Sequence, residues 1–207
     1  MKEQGKPKVG GVIGIDEVGR GPLAGPVTVS AVYLMYPYRT KQQIFSNIVR
    51  DSKRIQKALR NNIYKTLRKN RKINIETKYA VVSRSAAFID KYGIQKATQI
   101  CVDSCIEILK KQGVSITECM IRTDAGIKVS TYSNQKAYIK GDERFTEIAL
   151  ASIMAKETRD AYMRELAKRH SCFGWESNVG YGTDVHHKAI KKFGVTKYHR
   201  ISYLKAF

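Results

Sequence analysis

Apolar and polar positions along this chain follow two periods. Val12 to Ile15 is a short β-branched run between glycines, and Val27 to Met35 is a second apolar run, with the Gly/Pro-rich segment Gly19 to Pro26 between them. That pattern predicts strand, tight loop, strand. From Arg54 to Lys69 the period changes: Ile55, Leu59, Ile63 and Leu67 recur every four residues with basic residues between them. This predicts a cationic amphipathic helix. Tyr79 to Val82 predicts a short strand. Ile94, Ala97, Cys101, Cys105, Ile108 and Leu109 then mark a helix ending near Gly113, and Ile116 to Ile121 a strand leading to Thr123 and Asp124. Ile148, Ala151, Ala155, Tyr162 and Leu166 mark a helix starting after Asp142, with Thr146 placed to cap it and Glu147 in its first turn. Val185 to Phe193 predicts a short final helix. Strands and helices alternate, so the expected class is α/β, a mixed β-sheet flanked by helices with no visible domain boundary. At 207 residues the chain suits one domain, with a short basic N-terminal extension (about 1–10) and a C-terminal helical segment (about 184–207).

Composition narrows the function classes. With 43% hydrophobic and 27% charged residues the chain can bury a core, which excludes a disordered or fibrous protein. The uncharged stretch Gly21 to Tyr38 is broken by Pro22, Gly25, Pro26 and Pro37 and is no lipid-exposed helix. No apolar signal core precedes Asp16 and Glu17, so the expectation is a cytoplasmic protein without a membrane partner. Cys101, Cys105, Cys119 and Cys172 contain no Cys-x-x-Cys pair and sit at no ligand spacing from the four histidines. They read as reduced, small buried residues. Charge says more: 38 Lys+Arg against 18 Asp+Glu leave +20, spread along the chain. A folded basic face for a polyanion, nucleic acid first, is the expectation.

Against that background the acidic positions are informative. Asp16 and Glu17 are expected just after the first strand, Asp124 after the fourth, and Asp142 before a helix. Several carboxylates converging in a basic protein call for a hard divalent cation, and oxygen-only ligation suits Mg²⁺ or Mn²⁺. Two such ions would serve phosphodiester hydrolysis. By itself an Asp-Glu pair is more often a solvated turn.

The segment Gly14-Ile15-Asp16-Glu17-Val18-Gly19-Arg20-Gly21-Pro22-Leu23-Ala24-Gly25-Pro26-Val27 decides between these readings. It closely resembles the opening signature of type 2 ribonucleases H, specifically of the bacterial ribonuclease HII family. The resemblance continues in order through Asp51-Ser52-Lys53, Ser85 to Asp90, Lys140-Gly141-Asp142, Ile148 to Lys156, Thr158-Arg159-Asp160, Gly180-Tyr181-Gly182-Thr183 and His199 to Tyr203. The chain departs from the family pattern at Thr123-Asp124-Ala125-Gly126, where Asp-Gly is usual, at Gly93, where Asn is usual, and at Tyr203, where Phe is usual.

The resemblance implies a ribonuclease H-like fold and an endonuclease that hydrolyses the RNA strand of RNA/DNA hybrids and nicks 5′ of ribonucleotides in duplex DNA, leaving 3′-hydroxyl and 5′-phosphate ends. It implies two Mg²⁺ or Mn²⁺ ions on the catalytic and metal-ligating carboxylates Asp16, Glu17, Asp124 and Asp142. For substrate binding it implies the Gly19-Arg20-Gly21 loop, Ser52, Lys53 and the sugar-sensing Tyr181. Glycines allow backbone approach to a sugar, and the 2′-hydroxyl separates RNA from DNA. A monomer acting on hybrid or ribonucleotide-containing duplex is expected. Two alternatives stand beside this: a ribonuclease HIII-like enzyme, disfavoured by Arg20 and the short lead before Asp16, and a non-catalytic basic nucleic-acid-binding protein, disfavoured by all four carboxylates being present. Lys53 and Lys156 taken singly read as solvated charges, and Asp160 as the partner of a basic neighbour. His199 and Arg200 are left open between packing and backbone contact.

Overall fold

Five strands form one sheet in the computed structural model, which describes residues 10–35, 57–69, 77–124 and 126–204. They are β1 (Gly11–Val18), β2 (Val27–Met35), β3 (Thr77–Arg84), β4 (Cys119–Asp124) and β5 (Gln135–Tyr138), in the order β3-β2-β1-β4-β5. β1 pairs antiparallel with β2, and β2 with β3, whereas β1–β4 and β4–β5 are parallel. The sheet is therefore mixed, with β1 at its centre, as the alternation of elements predicts.

Strand pleat sorts the sequence between two faces. Ile13 and Ile15 of β1 pack with Val29, Ala31 and Ile121, and with Ala97, Cys101, Cys105 and Leu109 of a helix on one side. Val12, Val32 and Leu34 pack on the other side with Ile63 and Leu67 and with Ala149 to Met154 of a second layer. The helices are α1 (Lys57–Arg68), α2 (Ala86–Tyr92), α3 (Ile94–Lys111), α4 (Thr146–Arg169), α5 (Trp175–Asn178) and α6 (Asp184–Phe193). A satellite cluster of Ala24, Met163, Phe173, Trp175 and Ala189 joins the end of α4 to the C-terminal segment.

Several expectations change. β1 runs to Val18, so Asp16 and Glu17 lie within the strand and not after it. The pairing of Asp16 with Ser30 and Glu17 with Val29 on β2 carries the ladder past the last apolar residue. The fourth strand begins at Cys119, since Ile116–Glu118 is a 3-10 turn. Thr146 is the first residue of α4 and not its cap; the N-cap position belongs to Phe145, which has no side-chain cap. Leu59 is exposed although it shares the period of buried Ile63 and Leu67. Of the cysteines Cys172 is exposed and the other three are buried. The C-terminal helical segment is α6 alone, followed by irregular chain and a 3-10 turn at Ile201–Tyr203. Ser52 and Lys53 lie outside the described residues, as does nearly all of the basic extension.

Candidate active site

The carboxyl ends of the two central parallel strands carry the first acidic residues. Ile15 faces Thr123 in the β1–β4 register, so Asp16 and Asp124 are neighbours one step further along. Pleating turns both toward α4, on the side of Val12 and Gly14. α4 comes this close because β1 has a glycine there: a Cβ on Gly14 would lie 2.2 Å from the carbonyl carbon of Glu147. Asp142 lies buried in the 3-10 turn Gly141–Glu143 that precedes α4, next to the residue that this end of β4 anchors. The Gly141 N–H donates to Asp124 Oδ1 at 2.9 Å.

Electrostatics mark the spot. Burial, with the charges of Glu17 and Asp124 adding to it, pushes the Asp16 carboxyl up to about 8, against hydrogen bonds from Ser152 and the Glu17 N–H that pull it down. Burial and Asp124 also raise Glu17, opposed by Arg20, whose Nη1 stands 3.6 Å from Glu17 Oε1. Glu17 Oε2 is buried without a hydrogen-bond partner. Once it gives up its protons, an oxygen-only cluster of this kind fits a hard divalent cation, which would supply the positive charge that burial otherwise denies it. Among the described residues no three such side chains already stand at ligating distance of one another.

Beside the carboxylates lies the loop from Gly19 to Pro26. Gly19 has φ +86°, and a Cβ there would meet Arg159 Nε at 2.3 Å, so only glycine fits. Gly21 is exposed, and a Cβ on it would meet nothing nearer than the Tyr181 ring, 4.0 Å away. The loop thus faces Tyr181, which is itself 45% exposed. Backbone bonds tie the pieces together: Leu23 N–H to Gly180 O at 2.8 Å, Gly25 N–H to Tyr198 O at 2.8 Å and Arg200 N–H to Leu23 O at 2.8 Å. Of the candidate residues, then, Asp16, Glu17, Asp124, Asp142, Gly19, Arg20, Gly21 and Tyr181 gather at one end of the sheet.

Sequence reasoning leaves His199 and Arg200 open between packing and backbone contact and does not place Arg159, Trp175 or His186 beneath the loop. Arg159 and Arg200 are buried, at 1% and 0% exposure. Arg159 donates to Pro26 O at 2.9 Å and Ala24 O at 3.2 Å, while Arg200 donates to Gly19 O, Arg20 O and Gly25 O. Burial holds the Arg159 guanidinium down to about 10, with Arg200 nearby contributing. Below Tyr181 a buried imidazole pair completes the support. His199 Nδ1 accepts the Thr196 N–H at 2.9 Å, so its proton sits on Nε2, 3.1 Å from His186 Nε2. That nitrogen also accepts from Trp175 Nε1 at 3.0 Å, which leaves His186 Nδ1–H to donate to the Tyr181 carbonyl at 2.9 Å. The only signal for these groups was the motif segments Thr158-Arg159-Asp160 and His199-Arg200. Asp160 pairs with Lys156 at 3.1 Å, as read from sequence.

Comparison with known proteins gives this geometry its context. The ribonuclease HII proteins of Orientia tsutsugamushi (strain Boryong) and Pelagibacter ubique (strain HTCC1062) are 35% and 38% identical to this chain. The alignments cover 93% and 90% of it and 85% and 92% of those proteins. The fold resembles RNase HII from Archaeoglobus fulgidus, solved in a PCNA:RNase HII complex, with TM-score 0.71 at 22% identity over 92% of this chain and 94% of that one. It also resembles Bst-RNase HIII in complex with Mn²⁺, with TM-score 0.70 at 17% identity over 95% of this chain and 68% of that one. With the ribonuclease HII family model matching residues 13–206, nearly the full length, the chain belongs to the ribonuclease HII family.

Proposed function

We propose that this ribonuclease H hydrolyses the RNA strand of RNA/DNA hybrids and nicks 5′ of ribonucleotides embedded in duplex DNA. In the reaction a water oxygen bonds to phosphorus, the P–O3′ bond breaks and the leaving 3′ oxygen takes up a proton, giving 3′-hydroxyl and 5′-phosphate ends. Asp16, Glu17, Asp124 and Asp142 are the ligands for Mg²⁺ or Mn²⁺. Two ions held by these carboxylates would supply an activated water and charge for the leaving oxygen. Gly19, Arg20, Gly21 and Tyr181 bind the nucleotides at the junction, and Ser52 and Lys53 contribute to substrate binding. The protein acts as a monomer in the cytoplasm.

One observation carries this reading: the carboxylates and the glycine loop with its facing tyrosine meet at the same end of the sheet, with Asp124, Asp142 and Tyr181 brought from segments far in sequence from Asp16 to Gly21. The carboxylates suit metal-assisted hydrolysis, and the loop suits recognition of a sugar edge. A net +20 charge supplies the attraction to the duplex backbone. The test is incubation of purified protein with duplexes carrying zero, one or several ribonucleotides, with Mg²⁺, with Mn²⁺ and with chelator. Cleavage of ribonucleotide-containing duplexes only, and only with metal, is expected. Cleavage of the all-DNA duplex, or undiminished cleavage in chelator, overturns the proposal.

A further inference from the structure

The loop that faces Tyr181 is held from beneath by one side chain more than by any other among the described residues. Arg200 Nη1 donates to Arg20 O at 2.8 Å, Nη2 to Gly19 O at 2.6 Å and to Gly25 O at 3.0 Å, and Nε to Gly25 O at 3.1 Å. A second donor reinforces the first: the Tyr203 hydroxyl, which a phenylalanine would lack, gives a bond of 2.9 Å to Arg20 O. The Arg200 guanidinium also lies over the Tyr203 ring, 5.1 Å from its centroid. Among the described residues Arg200 forms no ion pair. Asp90 is engaged by the N–H groups of Ile201 and Ser202. The hydrogen bonds of this fully buried guanidinium thus all go to carbonyl oxygens.

The direction of those carbonyls decides what the loop shows to its substrate. In a trans peptide the N–H points opposite to the C=O of the residue before it. Drawing the Gly19 and Arg20 carbonyls inward turns the N–H groups of Arg20 and Gly21 outward. Neither of these N–H groups has a backbone acceptor among the described residues, whereas the N–H groups of Leu23, Ala24 and Gly25 all do. The outward pair emerges beside the exposed Gly21 and the Tyr181 ring. A cation on the carbonyl side also polarises each peptide and strengthens its outward donor, since linked hydrogen bonds reinforce one another.

We infer that Arg200 is a positioning residue for ribonucleotide recognition, which aims the Arg20 and Gly21 N–H groups at the sugar and phosphate oxygens of the substrate, with Tyr203 as its auxiliary. This rests on the proposal that the loop meets the ribonucleotide. It deepens that proposal by naming what makes the loop a donor.

The experiment is steady-state cleavage of a duplex with one ribonucleotide, with an all-DNA duplex of the same sequence as competitor, for wild type, Arg200→Lys and Tyr203→Phe. Lysine keeps the charge but gathers its donors on one nitrogen in place of a rigid planar fork, so it does not reproduce four bonds made from three separate nitrogens. Arg200→Lys should lower kcat/KM about tenfold or more, the size of one or two lost charge-assisted hydrogen bonds, with the competitor's inhibition constant within about twofold of wild type. Tyr203→Phe should move the same ratio about threefold in the same direction without change of melting temperature. If a folded Arg200→Lys discriminates ribonucleotide from all-DNA duplex as wild type does, the inference is overturned. Should Arg200→Lys fail to fold, Tyr203→Phe decides, and an unchanged ratio there overturns it equally. A wild type that cleaves but binds the all-DNA competitor as tightly as the ribonucleotide duplex defeats the underlying reading of the loop instead.

Discussion

Asp124 Oδ1 accepts the N–H of Gly141 at 2.9 Å, so the carboxylate that ends β4 also fixes the peptide carrying Asp142. Charge and hydrogen bonding at Asp124 can therefore be separated. Asp124→Asn keeps an oxygen for Gly141 but loses the charge, and should cut turnover at least a hundredfold with a melting temperature close to wild type. Asp124→Ala also orphans the Gly141 donor, a loss of about 1–3 kcal/mol, which lowers the melting temperature by several degrees more. Equal melting temperatures for the two variants would show that this bond does not hold the turn.

Asp16 gives a prediction of opposite sign for stability and activity. Its folded carboxyl is raised to about 8 from the ordinary value of 3.8, so the folded state binds more protons than the unfolded state across that interval. Stability is then fully present below about 4 and is lost as pH rises through 8. Asp16→Asn cannot ionise and should be more stable than wild type at pH 9 in chelator, while being inactive. Adding Mg²⁺ should raise the wild-type melting temperature at pH 9 and leave that of Asp16→Asn nearly unmoved. Melting curves at pH 6 and pH 9, with and without Mg²⁺, check both; parallel pH profiles for the two proteins would refute the buried charge.

What the sequence showed and what it hid follow from the same physics. Val27–Met35 is legible to the residue, because a central strand buried on both faces is a mostly apolar, β-branched run, here preceded by Pro26. The end of β1 was misplaced because Asp16 and Glu17 are polar and a strand is read from its apolar residues; their pairing with β2 is a tertiary fact. β5 (Gln135–Tyr138) was not seen, since a four-residue edge strand with half-exposed side chains leaves no alternation to detect. The candidate carboxylates were legible as minority residues in a basic chain and as parts of motifs. Arg159 and Arg200 were not, for charged side chains are expected outside, and only the structure shows loop carbonyls waiting for them. Glu147 is a similar case: expected merely as a favourable charge in a first turn, it is fully buried and bonds Arg122 at 2.7 Å.

The His186–His199 pair should make the enzyme acid-sensitive. All four ring nitrogens are committed: two accept N–H donors and two carry the protons that continue the chain to the Tyr181 carbonyl, so neither ring has room for a second proton. Burial, with His186 and His170 nearby, pushes His199 down to about 4, and burial lowers His186 as well. A lowered folded value means that the unfolded state binds more protons between about 4 and 6.5, so stability falls as pH drops through that window. His199→Gln, which does not titrate, should lose less melting temperature than wild type between pH 7 and pH 4.5, even if it starts lower. Thermal melts at those two pH values settle the matter, and an equal loss in both proteins would rule the pair out as the cause.

Tyr181 stands at the end of that chain, its carbonyl held by His186 and by the Thr183 N–H at 2.9 Å while its ring faces Gly21 across open space. Its backbone is fixed and its ring is 45% exposed, an arrangement suited to packing on a nucleotide more than to filling a core. A ring beside a deoxyribose fits, whereas a 2′-hydroxyl at that position would crowd it, so the tyrosine should set the register at an RNA-to-DNA junction. Tyr181→Ala should therefore depress nicking at a single embedded ribonucleotide roughly tenfold, about the 1.5–3 kcal/mol of burying one large side chain. Cleavage of a long hybrid should fall less, because neighbouring registers can substitute. Tyr181→Phe keeps the ring and should retain most of both activities. A core role predicts something different: both activities falling in proportion, together with the melting temperature. The two substrates measured side by side with a melt distinguish the cases, and an unchanged activity ratio with a lowered melting temperature would remove Tyr181 from the recognition surface.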